Sequence, residues 1–123
     1  MSALDFAGFP EQLRAQVPGF DRIYDEHLRD YDEVLPHVLV GELVRFLSDQ
    51  ARHHGEHSDA LRQAMDLLEQ GMSSADPRLQ ELVAVSFLEN LDPADVAFPA
   101  ISRLFGPRLR EQYERYKRET GGR

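Results

Sequence analysis

LQELVAVSFLENL, residues 79–91, is the stretch whose reading decides the fold. At 100° per residue, Leu79, Val83, Ala84, Phe87, Leu88 and Leu91 share one broad helical face. Leu82 and Val85 fall on a second side, between Glu81 and Glu89. A helix with one apolar stripe lies on a surface, whereas a helix apolar on most sides is covered by neighbours. The pattern therefore predicts a central helix with others packed around it. Glu89 is the anomaly within it, because a carboxylate in an apolar setting needs a partner.

Helical signals extend in both directions from this segment. Asp76-Pro77 supplies its N-cap and first helical position. Asp92-Pro93 repeats that start for a further helix, which Pro99 is expected to kink or divide. Ile101, Leu104 and Phe105 are its packing residues. Gly106-Pro107 then opens a last helix with a Leu109, Tyr113, Tyr116 stripe and two i,i+4 ion pairs, Glu111–Arg115 and Glu114–Arg118. Upstream, Ser58 caps a helix bearing Leu61, Ala64, Met65 and Leu68. A longer helix beginning near Pro36 buries Leu39, Val40, Leu43, Val44, Phe46, Leu47 and Ala51, and turns Glu42, Arg45, Asp49 and Arg52 outward. Gly41 inside it predicts a close helix–helix approach. Phe9, Leu13 and Val17 mark a short first helix that Pro18-Gly19 ends. Phe20, Ile23, Tyr24, His27, Leu28 and Tyr31 mark the second. No stretch alternates with the period of a strand. The expectation is an all-α fold of six to seven helices, forming a single domain over residues 1–119 with residues 120–123 frayed.

Composition narrows the chemistry. The chain has 123 residues and no cysteine, which excludes disulfides, thiol catalysis and Cys-based zinc sites. The opening MSALDFAGFPEQL has neither a basic region nor an apolar run of secretory length, and no stretch is long enough to span a bilayer. A cytoplasmic protein without membrane contact is the expectation. The net charge of −8 disfavours nonspecific attraction to nucleic acid. That charge is uneven: residues 1–33 carry −5, residues 34–99 carry −7 and residues 100–123 carry +4. The basic last helix interleaves its arginines with glutamates and spaces its tyrosines for packing, so direct nucleic-acid binding is not expected.

Three constellations merit a chemical reading. His53, His54, Glu56 and His57 match the H-x-x-E-H arrangement, in which two histidines hold zinc and the glutamate acts on bound water. Here Gly55 interrupts the segment and helix signals flank it, so a solvated turn is the plainer reading. A metal site at His53, Glu56 and His57, serving a metal-dependent hydrolase, is the alternative. His27 lies on an apolar face between Tyr24 and Tyr31, where histidine is usually a core residue. Ser86 has no nucleophile-elbow glycines beside it, and there is no phosphate-binding loop or dinucleotide fingerprint. The second helix is the strongest candidate. Asp21, Asp25, Glu26, Asp30, Asp32 and Glu33 line its outer side, relieved only by Arg22 and Arg29, with Asp25–Arg29 as an i,i+4 pair. Such a face either keeps the protein soluble or docks a basic protein partner.

LPHVLVGELVRFL (residues 35–47), LVAVSFLENL (residues 82–91) and ISRLFGP (residues 101–107) together resemble a family of small helical bacterial proteins. RLQELVAVSFLENL (residues 78–91) is also similar to the second helix of a HEAT-like repeat. The resemblance spans residues 9–110 and rests mainly on structural positions. It implies a HEAT-like packing of antiparallel helix pairs around the central helix. It also implies membership of a group that includes proposed immunity proteins of toxin systems. No catalytic residues carry over, and HHGEH lies outside the pattern. The resulting expectation is a non-enzymatic, cofactor-free binding module that neutralises a basic toxin domain. A regulatory adaptor unrelated to toxins is the competing role.

Overall fold

The computed structural model describes residues 4–120. Among these, seven α-helices and no strand are present: α1 (Phe9–Gln16), α2 (Phe20–Tyr31), α3 (Pro36–His54), α4 (Asp59–Met72), α5 (Pro77–Glu81), α6 (Phe98–Arg103) and α7 (Pro107–Glu119). Five of the seven carry proline in their first turn, which is why most helix starts can be read from the chain. Among the described residues no helix is long and apolar enough to cross a membrane. The expected frayed tail is described only at Thr120, whose hydroxyl donates to the Tyr116 carbonyl at 2.9 Å; residues 121–123 lie outside the described part.

The 79–91 stretch is buried as expected, but it is not a uniform α-helix. α5 widens into a π-helical turn over Leu82–Phe87 and then tightens into a 3-10 turn over Leu88–Asn90. The Leu88 N–H reaches the carbonyls of both Ala84 and Val83, and the Asn90 amide donates to the Ser86 carbonyl at 2.7 Å. The side chain of Asn90 thus satisfies a backbone group near the irregular turn. Leu79, Leu82, Val83, Phe87 and Leu88 are fully enclosed. Widening the turn changes the second side, however. Val85 is 43% exposed, and Ser86 lies inside instead. Glu89 is exposed, so it needs no buried partner. The anomaly came from applying a regular 100° step to a chain that departs from it.

α3 packs along the widened turn, with α4 and α7 against the same segment. α2 lies on α3, α1 on α2 and α4, and α6 on α3 and the Gly55–His57 turn. One continuous apolar core runs from Phe9 and Phe20 through Leu43, Leu47 and Leu68 to Phe87 and Leu109.

Several local expectations are corrected. Residues 92–97 form no helix. Asp92 Oδ1 accepts from the Ala94 N–H at 2.9 Å and Asp95 Oδ1 from the Ala97 N–H at 2.8 Å. Two successive aspartate turns result, because each short carboxylate offers the backbone an alternative to helical bonding. Pro99 consequently lies in the first turn of α6 and does not kink a longer helix. Gly41 marks no close approach, since a Cβ there meets open space; α4 comes close at Gly71, where a Cβ would lie 3.1 Å from Val83. Asp25 pairs with Arg14 of α1 at 3.3 Å, not with Arg29. In α7 the ion pair is Lys117–Glu114 at 3.4 Å, with neither expected i,i+4 pair formed.

Two carboxylates tie the ends of the chain to its centre. The Asp76 Oδ1 caps α5 by accepting from the Arg78 N–H at 3.0 Å, and its Oδ2 accepts from the Phe6 N–H at 2.8 Å. The Arg78 guanidinium covers the Phe6 ring at 4.1 Å. Glu69 of α4 accepts from the Arg108 and Leu109 N–H groups at 2.8 and 3.0 Å, and so caps α7 from another helix. This placement brings the Glu69 carboxyl over Gly106, where a Cβ would collide with it.

Glu69→Ala and Gly106→Ala should each lower unfolding free energy by about 1–2 kcal/mol, the scale of a lost helix cap. In denaturant titrations the double variant should cost little more than either single one, because both remove the same cap. Gly41→Ala should instead raise stability by about 0.5–1 kcal/mol.

The backbone donors at Asp76, Phe6 first and then Arg78, hold its carboxyl below the ordinary value of 3.8. A lowered carboxyl stabilises the fold above its unfolded pKa and loses that contribution as pH falls through the folded one. The wild-type chain should therefore lose stability relative to Asp76→Asn as pH drops below about 4. Parallel urea melts between pH 6 and pH 3 would show the two curves converging.

Candidate functional site

The acidic helix and its neighbour enclose a cleft of about 460 Å³ between α2 and α3. Two α2 carboxylates, Glu26 and Asp30, face two from α3, Glu42 and Asp49. Arg22 and Arg45 are its cations, while Ile23 and Phe46 supply the apolar wall. The structure divides the six acidic residues singled out in the sequence. Glu26 and Asp30 enter the cleft; Asp21, Asp25, Asp32 and Glu33 do not line it, although all six are exposed. Asp25 turns toward α1 and Arg14. Asp32 has a backbone task, closing α2 in the left-handed conformation at φ 63° while its N–H donates to the Leu28 carbonyl at 2.8 Å. Aspartate tolerates that region better than most residues. Asp21, Glu26, Asp30, Asp32 and Glu33 form no ion pair among the described residues.

His27 forms the inner edge of the cleft and is 1% exposed. Its Nε2 accepts from the Leu35 N–H at 3.0 Å, and its Nδ1 lies 3.0 Å from Glu42 Oε1. With Nε2 an acceptor, Nδ1 carries the proton and donates to Glu42. One side chain thus joins α2, the N-cap residue of α3 and a carboxylate two turns further along α3. Its ring also lies 4.8 Å from that of Tyr31. His27 is the core residue expected there, and both of its nitrogens are engaged. Tyr24, one turn earlier, donates to Glu11 at 2.7 Å; burial, followed by that bond, pushes its phenol up to about 12. It remains a donor that fixes α2 on α1.

Glu42 and Asp49 belong to the site although neither was among the acidic residues chosen from the sequence. Their spacing of seven residues on the outward side of α3 was visible, but nothing local says that this side faces the acidic one of α2. The opposing cations are few. Clustered carboxylates around a cleft favour cationic groups and raise the encounter rate with them.

The metal alternative is not assembled. His53 Nδ1 meets the Asp49 carbonyl at 2.9 Å within the last turns of α3, Glu56 is paired with Arg103 at 2.6 Å, and His57 is exposed. Among the described residues no group of three or more His, Cys, Asp or Glu side chains is placed to hold a metal ion. Ser86 Oγ lies 2.5 Å from His37 Nδ1, joining the widened turn to the first turn of α3. Ser86 is almost fully buried, and among the described residues no carboxylate orients the far nitrogen of His37, so the pair lacks the access and third member of a nucleophilic triad.

Fold and site together define a small all-α protein with an acidic cleft between its second and third helices. The chain belongs to the family of the domain of unknown function DUF7674, which matches residues 10–120. No curated protein and no solved structure matches it.

The two hydrogen bonds at His27 make a specific demand on stability. His27→Ala should cost about 2–4 kcal/mol, combining a core cavity with two stranded polar groups. Glu42→Gln keeps an acceptor for Nδ1–H and should cost less than about 1 kcal/mol. Chemical denaturation separates the two, and histidine nitrogen NMR should find the proton of His27 on Nδ1.

Proposed function

We propose that this protein is a binding module without chemistry of its own, and that its acidic cleft and the adjoining α2 surface dock a basic protein. The observation that carries this reading is the set of exposed, unpaired carboxylates on α2 beside a cleft where α3 adds two more. A face that only confers solubility has no need of a cleft, or of a buried histidine holding one of its carboxylates in place. Long-range attraction from such a surface steers a basic partner into contact, and Ile23 and Phe46 offer it apolar area on arrival.

The nature of the partner is the narrower part of the proposal. Resemblance to proposed immunity proteins supports a cognate toxin domain in the bacterial cytoplasm, whose basic, phosphate-binding surface the carboxylates would occupy. The α2 side chains would then act as mimics of a polyanion.

The test uses reversals that leave the fold intact. Asp25 and Asp32 are poor choices, because one pairs with Arg14 and the other sits at positive φ. Glu26→Lys, Asp30→Lys and Glu33→Lys combined should weaken binding of a partner retained from the source cell by at least about tenfold and flatten its salt dependence. Equal retention by the variant, with an unchanged salt profile, would sink the docking role. Co-expression with the product of the adjoining gene tests the toxin reading separately: the wild-type chain should restore growth and the triple variant should not.

A further inference from the structure

The other flank of α3 holds a second cleft, of about 280 Å³, closed on its far side by residues 90–101. Val44, Leu91, Phe98 and Ile101 form an apolar floor, and Ser48 and Asn90 lie along its edge. Four charged side chains also line it: Arg45 and Arg52 from α3, and Asp92 and Asp95 from the aspartate turns. Two of these neutralise each other. Arg52 donates to both oxygens of Asp95 at 3.2 Å, and Asp95 also caps the Ala97 N–H.

The remaining two are of opposite sign and come from the two segments that border the cleft, α3 and residues 90–101. Arg45 has no ion pair among the described residues, neither with Glu42 three residues before it nor with Asp49 four residues after it. Glu42 accepts a hydrogen bond from His27 Nδ1, and Asp49 lies 3.5 Å from His53. Asp92 commits Oδ1 to the Ala94 N–H and has Oδ2 free of protein partners among the described residues. A free guanidinium binds a carboxylate through two parallel hydrogen bonds, and a free carboxylate binds an ammonium. Between them lies an apolar floor. The volume falls just under the roughly 300–1,000 Å³ of sites for drug-sized ligands, which favours a ligand of amino-acid size over a nucleotide.

We propose that this cleft binds a free apolar α-amino acid. Its carboxylate pairs with Arg45, its ammonium with Asp92, and its side chain covers Leu91, Phe98 and Ile101. Arg45 also lines the acidic cleft, but Asp92 and the apolar floor do not, and the charge reversals that test docking on α2 touch none of these residues, so the two proposals fail independently.

The full chain, labelled with nitrogen-15, is titrated with L-leucine and L-phenylalanine. At least one should give saturable shifts confined to α3 and residues 90–101. Leucinamide, which lacks the carboxylate, and N-acetyl-leucine, which lacks the ammonium, should bind about tenfold more weakly, the effect of losing one charge-assisted contact. Arg45→Gln and Asp92→Asn should each weaken the amino acid to a similar degree. Both positions are exposed, and the Asp92→Asn side chain keeps an acceptor for the Ala94 N–H, so unchanged circular dichroism should accompany the loss. No saturable shift by either amino acid at about 20 mM, binding of either analogue as tight as that of leucine, or full binding by the Arg45→Gln chain would each overturn the proposal.

Discussion

Contact between α3 and the widened turn at Leu82–Phe87 is the constraint on which the rest of the structure depends. α2, α4 and α6 lie on α3, and α4 and α7 lie on the turn segment, so only α1 takes its place through its neighbours. The turn brings Leu82, Val83, Phe87 and Leu88 inward together, a denser burial than one stripe of a short helix allows. At roughly 1.5–3 kcal/mol for each large apolar side chain fully buried, these four outweigh the irregular hydrogen bonding that the turn requires. Asn90 limits that cost by satisfying the Ser86 carbonyl. Ser86 in turn meets His37 and fixes the turn against the start of α3.

Around this contact the polar side chains act mainly as cross-links between elements distant in sequence. Glu69 joins α4 to α7, Asp76 joins α5 to the segment before α1, His27 joins α2 to α3, and Arg52 joins α3 to the turn at Asp95. Three of these four satisfy backbone N–H groups at or near a helix start, where the first turn has no intrahelical acceptor. An all-α chain with short connections has many such starts, and each carboxylate or imidazole that reaches one also determines an interhelical angle. These links hold α3 in place between two clefts of different character, one ringed by carboxylates and one floored by apolar side chains.

Helix number and class were legible because five helix starts carry proline and the apolar spacing of each long helix is regular. The misreadings have a common origin. Pro93 and Pro99 are equally acceptable as first helical residues, and the choice between them rested on Asp92 and Asp95 bonding their own backbone. Gly41 and Gly71 look alike along the chain, but only Gly71 has another element against it. Val85 and Ser86 exchanged places because a π-helical turn, not a regular helix, carries them. The acidic face of α2 was legible as a charge pattern, whereas Glu42 and Asp49 as its counterparts were not.

Residue order by itself determined the class of this protein: all-α, acidic over most of its length, and built on an apolar segment at 79–91. Those properties follow from local spacing and from charge, which are additive along a chain. Only the tertiary structure decided which carboxylates stand together, which are spent on capping, and which arginines are left without an ion pair. Such assignments depend on contacts between residues tens of positions apart, as with Glu69 and Arg108 or Arg52 and Asp95. No local preference encodes them, because a carboxylate on a helix surface has the same propensity whether it faces water, a backbone N–H or another carboxylate.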